Sequence, residues 1–161
     1  LSGVSLFKDP DFLFDESHVK IKSGRSSVKY FYSDASVITA PPEKDIALPS
    51  EDVTFQLSDV DLNSLLKASS VYQLADLSLI SQDGEMLFVA RDKQNDSSNT
   101  FAVSVGTTTA NFCFNFKVEN LKILPGVYDV TVSHPNLSVF KHKSLDLVYW
   151  IALEPDSTYE A

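Results

Sequence analysis

The sequence predicts an α+β protein dominated by antiparallel sheet, assembled from repeated β-α-β-β-β halves. Three observations carry this. A strand-like run, Thr54-Phe55-Gln56-Leu57, leads into a helical pattern and three further strands, and the order starts again at Phe112-Cys113-Phe114-Asn115-Phe116. Phe55-x-Leu57 and Phe114-x-Phe116 lie 59 residues apart. Asp83-Gly84 separates two alternating apolar runs, which is a strong two-residue hairpin signal. Between Ser36 and Asp52, Pro41, Pro42 and Pro49 with five charged residues mark an extended connector, because proline blocks helix and central strand alike.

Before the connector, Phe12-Leu13-Phe14, Val19-Lys20-Ile21-Lys22 and Val28-Lys29-Tyr30-Phe31-Tyr32 read as three short strands, preceded by a helical remnant over Ser2 to Phe7. Lys20, Lys22 and Lys29 occupy the polar phase, as suits a sheet with one wet face. Beyond it, Ser58 is placed to cap a helix, with Asp61 three residues on and Asp59 favourable to the helix dipole. Leu62, Leu65, Leu66, Ser69 and Tyr72 follow helical spacing and predict its buried side. Leu77–Ile80, Met86–Val89 and Phe101–Val105 are the next strands. In the second half a short helical segment, Lys117 to Leu124, is stopped by Pro125-Gly126. Val127–Val132, Leu137–Phe140 and Leu145–Leu153 supply its strands.

A chain of 161 residues buries about 70% of its unfolded surface and needs no disulfide or metal staple. Its composition, 43% hydrophobic and 22% charged, excludes disorder, collagen and coiled coil. The single Cys113 excludes a disulfide framework, and its place in an aromatic strand predicts a buried small hydrophobe. No apolar run approaches the roughly 20 residues that span a bilayer, and a soluble intracellular protein is expected. The chain opens at Leu1 and its lone Met is internal, so an upstream piece is expected.

No catalytic motif emerges. His18, His134 and His142 lack metal-ligand spacing and are expected to be solvent-exposed and structural. Carboxylate pairs arise by chance among 22 Asp and Glu, and five glycines build neither a P-loop nor a nucleophile elbow. No catalytic residue, metal or cofactor is expected. The net charge of −9 argues against a nucleic-acid binder. Yet the side of the first helix opposite its core carries Asn63, Ser64, Lys67, Ser70 and Val71, with no acid beyond the first turn. Lys117 and Lys122 stand against Glu119 on the second, while Val118, Leu121 and Leu124 serve the core. These faces fit either contacts to backbone phosphates or an ordinary solvated surface.

The repeated halves, the proline-rich connector and the ending Leu147-Val148-Tyr149-Trp150-Ile151-Ala152-Leu153-Glu154-Pro155-Asp156-Ser157-Thr158 resemble the DNA polymerase sliding clamps of T-even-type phages. Asp61–Lys67 and Asn120–Tyr128 resemble the helices of that family. The resemblance implies the DNA-clamp fold, with antiparallel sheets on one side and helices on the other. It makes residues 1–49 the second half of a first clamp domain ending in the connector (about 36–52), and residues 50–161 a complete second domain. It implies a non-enzymatic processivity factor: a homotrimeric ring around duplex DNA, placed by an ATP-dependent loader, that receives the replicative polymerase in the cytoplasm of the infected bacterial host. DNA-facing positions would be Lys67, Lys117 and Lys122, with Ser64 and Ser70 as neutral neighbours. A hydrophobic pocket for partner peptides would use Ile46, Leu48 and Pro49 with Ile151, Leu153 and Pro155, although core packing explains Ile151 and Leu153 equally well. The alternatives are a phage structural or ligand-binding β module and, more distantly, a small acid hydrolase.

Overall fold

The computed structural model describes residues 2–38 and 46–160, in two compact units, 1–45 and 46–161. In the first unit a 3₁₀ turn, Ser2–Leu6, precedes three antiparallel strands in sequential order: β1 (Asp11–Phe14), β2 (His18–Ser23) and β3 (Ser26–Phe31). Phe12 stands opposite Ile21, and Ile21 opposite Val28, so Phe12, Phe14, Val19, Ile21, Val28 and Tyr30 share one face. Only Val19 and Ile21 are buried, and Phe14 is 77% exposed. The opposite face takes Lys20, Lys22 and Lys29, as the alternation predicts. Another 3₁₀ turn, Ala35–Val37, is capped by the Asp34 side chain, which accepts from Ser36 N. Pro41 and Pro42 lie outside the described residues.

The second unit contains β4 (Val53–Leu57), α1 (Asp59–Tyr72), β5 (Asp76–Gln82), β6 (Glu85–Arg91), β7 (Phe101–Thr107) and β8 (Asn111–Lys117). β9 (Tyr128–Ser133), β10 (Leu137–His142), β11 (Val148–Ala152) and β12 (Thr158–Glu160) complete it. The two halves exchange their first strands. β4 joins β9 in a four-stranded sheet ordered β11-β10-β9-β4, while β8 joins β5 in a five-stranded sheet ordered β12-β8-β5-β6-β7. Neither half can therefore bury its strands without the other. The core forms between the two sheets: Phe55 meets Phe88 edge-on at 6.1 Å, and Phe116 meets Phe140 at 6.2 Å. Leu62 and Leu65 of α1 join this cluster.

Ser58 caps α1 as the sequence predicts, its hydroxyl accepting from Asp61 N at 3.1 Å. Gln73, in the left-handed conformation, ends the helix. Tyr72, expected on the core side, is 49% exposed: burial runs through Ala68 and Ser69, and the last turn stands clear. The second helical segment is shorter than expected. Lys117 is extended and pairs in register with Asp76, leaving only a 3₁₀ turn at Val118–Leu121. Leu124, expected in the core, is exposed. β12, which was not anticipated, pairs with Asn111–Cys113. Cys113 is half-buried on the side away from the core, where its thiol receives Arg91 Nη2 at 3.2 Å.

Candidate functional site

α1 is held over the core by Leu62, Leu65, Ala68 and Ser69, which turns Asn63, Lys67 and Ser70 outward to solvent, with Ser64 half-buried beside them. Asn63 Nδ2 donates to Asp59 Oδ1 at 2.9 Å, and the same oxygen accepts from Gly126 N at 3.0 Å. Asp59 thereby ties the helix start to the loop entering β9, and its charge is spent on backbone and amide donors. Leu121, fully buried, anchors the 3₁₀ turn against the core, and Lys122 follows it on the surface. Lys67 and Lys122 are exposed and, among the described residues, neither is in an ion pair. α1 contacts the 3₁₀ turn that Lys122 directly follows.

Lys117 is placed differently. Its ammonium lies 2.9 Å from Asp76 Oδ1 and 3.6 Å from Glu154 Oε2, on the face of the five-stranded sheet away from the core. The Asp76 hydrogen bond raises the Lys117 pKa above its ordinary value. Lys93 extends the array, meeting Asp156 at 2.9 Å and Glu154 at 3.7 Å, and its hydrogen bond depresses the Asp156 carboxyl. Next to these ion pairs Arg91 donates from Nε to Ser78 Oγ and from Nη2 to Asn115 Oδ1, at 2.8 and 3.1 Å. This is a satisfied structural network that leaves Lys117 little freedom to meet another anion.

The predicted peptide-pocket residues divide into two sets. Ile151 and Leu153 are 5% and 7% exposed and belong to the core cluster, so core packing accounts for them. Ile46, Pro49 and Pro155 are on the surface, and Leu48 is half-buried. The connector is fastened where it enters β4: Ser50 N donates to Ser133 Oγ, and Asp52 Oδ2 accepts from His134 N at 2.7 Å. The apolar positions of β11 that face outward are Val148, Trp150 and Ala152, with Trp150 opposite Val139 and Ala152 opposite Leu137. Trp150 is 39% exposed, and Trp150 and Ala152 with Asn120, Tyr149 and Ile151 line a groove of about 290 Å³. Ile151 is among the positions the family resemblance implies; Trp150 and Ala152, in the other phase of the same strand, are not.

His142 is buried rather than exposed. Its Nδ1 accepts from Ser144 N and Leu145 N, both at 3.1 Å, which fixes the turn between β10 and β11. A Cβ on Gly126 would overlap the His142 ring, so glycine is required there. His134 and His18 are half-buried against Phe114 and Phe31 respectively. Among the described residues no group of three or more His, Cys, Asp or Glu is arranged to hold a metal ion. Nor is any helix among them long and apolar enough to cross a membrane.

Residues 54–155 match the family described as gp45 sliding clamp, C terminal. The chain belongs to the gp45 sliding clamp family. It is 31% identical to the sliding clamp of Vibrio phage KVP40 over 162 residues, covering 96% of this chain and 72% of that protein. Against the sliding clamp of Escherichia phage RB69 it is 31% identical over 168 residues, covering 99% and 73%. The fold is also that of a DNA polymerase III subunit beta sliding clamp from Bartonella birtlesii, with a TM-score of 0.53 at 12% identity. That match covers 89% of this chain and 41% of the bacterial one, so the chain spans about two-fifths of the bacterial clamp's length. A clamp of this family has the α+β architecture and repeated halves anticipated from sequence, and the alternative of a phage structural module is not favoured.

Proposed function

We propose that the chain works as a DNA polymerase processivity factor: within a ring around duplex DNA it tethers the polymerase and has no catalytic chemistry of its own. Residues 1–49 form the second half of a first clamp domain and 50–161 a complete second domain. The correspondence between the β1-β2-β3 sheet and the β9-β10-β11 succession supports that division. Homotrimeric assembly, an ATP-dependent loader and the cytoplasm of the infected bacterium complete the setting.

The observation that carries the reading is the outer side of α1, which has no acid beyond its first turn on a chain of net charge −9. Lys67 and Lys122, with neutral Ser64 and Ser70, would meet backbone phosphates without reading bases. Repulsion from the acidic remainder would centre the duplex while permitting sliding. Lys117, committed to Asp76 and Glu154, acts as a structural anchor and has at most a long-range part in this field. For partner peptides, Trp150, Ala152, Val139 and Leu137 offer the apolar surface, alongside connector residues Ile46, Leu48 and Pro49 and the exposed Pro155.

Lys67→Glu combined with Lys122→Glu should shorten retention on nicked circular DNA after loading, with the deficit growing as salt falls. Thermal unfolding should be unchanged, since both side chains are exposed and unpaired. Retention equal to the unsubstituted protein at every salt concentration would reject the assignment.

A further inference from the structure

We propose that the lysine-bearing face of the β1-β2-β3 sheet docks single-stranded DNA. The face is built by register. Lys20 stands directly opposite Lys29, Lys22 opposite Ser27, and His18 opposite Phe31. Like charges opposed across a strand pair destabilise a sheet unless an anion offsets them. None of these three lysines enters an ion pair among the described residues, where every ion pair joins residues of 46–161. Asp11 lies beside Lys22 in register, and Asp15 continues the same phase opposite His18, its amide donating to His18 O at 2.9 Å; neither carboxylate is within ion-pair distance of the three lysines. The second unit solves the same problem in the opposite way: Lys141 stands opposite Asp129 on its sheet.

Aromatic placement selects the occupant. Phe31 is 62% exposed, with the Lys29 ammonium 5.2 Å from its ring centroid and the His18 ring 5.5 Å away. Leu13 adds exposed apolar surface on β1, opposite Lys20. A sheet face offering cations without ion pairs beside an exposed ring provides phosphate contacts and base stacking together, which is how unspecific single-strand binders work. Lys20 and Lys22, two residues apart, are about 6.7 Å from each other along the strand, so an extended backbone can engage both. An acidic peptide would use the lysines but leave Phe31 without a planar partner. The choice of DNA as the strand rests on the function proposed above. The residues do not overlap with Lys67 and Lys122, so either assignment can fail alone.

The test is fluorescence anisotropy of the chain with a short labelled oligo(dT), titrated with salt. Lys20→Glu with Lys29→Glu should abolish binding or flatten the plot of log K against log salt by about 1.4. Phe31→Ser should weaken binding about five-fold or more without changing the slope. Lys141→Glu, on the other unit's sheet, should leave affinity unchanged. Absence of binding at low salt, indifference to Lys20→Glu with Lys29→Glu, or tighter binding of a poly-glutamate peptide than of oligo(dT) would each overturn the proposal. Circular dichroism of both variants should match the unsubstituted chain, since these side chains lie on the surface.

Discussion

The two units use lysine in different ways. In residues 46–161, Lys93, Lys117 and Lys143 each lie within 4 Å of at least one carboxylate, and Lys141 faces Asp129 across the sheet. In residues 1–45, Lys20 faces Lys29 and no described cation has a paired acid. Overall charge hides this. The first unit carries six Lys or Arg against seven Asp or Glu, the second seven against fifteen. The acidic balance thus belongs almost wholly to the second unit, whose free lysines, Lys67 and Lys122, stand out against it. Where charges are paired they serve the fold, and where they are unpaired they are available to a partner.

The apolar residues follow a parallel contrast, and the largest predicted effect tests it. Leu65 is fully buried between α1 and the sheets, so Leu65→Ala should cost about 2–5 kcal/mol in urea unfolding. Phe14→Ala in the first unit should stay within about 0.5 kcal/mol, since its ring is exposed. Equal costs would break the distinction between a closed core and an open apolar face.

The next effect concerns the polar sides of the sheets. Arg91→Met removes the donor shared by Ser78, Asn115 and Cys113, two of which are buried, and should cost about 1–3 kcal/mol. Lys29→Met removes one of two opposed like charges and should be neutral or stabilising by a few tenths of a kcal/mol. Destabilisation by Lys29→Met comparable to that of Arg91→Met would mean that Lys29 has a structural partner.

The smallest effect is a pH dependence. Lys93 holds the Asp156 carboxyl below its ordinary value, so the native state binds that proton more weakly than the unfolded chain. The contribution is present above the ordinary carboxylate pKa and is lost as pH falls through the depressed value. In Lys93→Met the loss of stability on acidification should be shallower, as read from urea midpoints at neutral and acid pH. An unchanged slope would remove Lys93 as the cause. Tyr128 acts at the other extreme: burial raises its phenol, so stability falls as pH rises above the ordinary tyrosine value.

Much of this is legible in the sequence, and the exceptions have separate physical reasons. The Ser58 cap, the Asp83-Gly84 hairpin and the strand alternation are local signals, and each appears where local chemistry puts it. Nothing near Lys117 in the sequence opposes a helix; its extended form depends on pairing with Asp76, 41 residues earlier. From Val148 to Leu153 both strand phases are apolar, so alternation could not decide whether Ile151 or Trp150 faced out. For Cys113 and His142 the signal was present. Cys113 shares its phase with Asn115 and Lys117, which leave the core, and His142 shares its phase with Phe140, which enters it. The reciprocal strand exchange sets faces that no single half of the sequence defines.

The most direct test of the account is lysine acetylation footprinting of the chain on DNA, comparing loaded duplex with a primed template that also presents a single strand. Protection of Lys67 and Lys122 on duplex, with Lys117 unchanged between free and loaded protein, is the predicted result; Lys20 and Lys29 should be protected only when single strand is present. Protection of Lys117 with Lys67 and Lys122 left reactive would contradict the claim that the unpaired lysines of the helical side face the duplex.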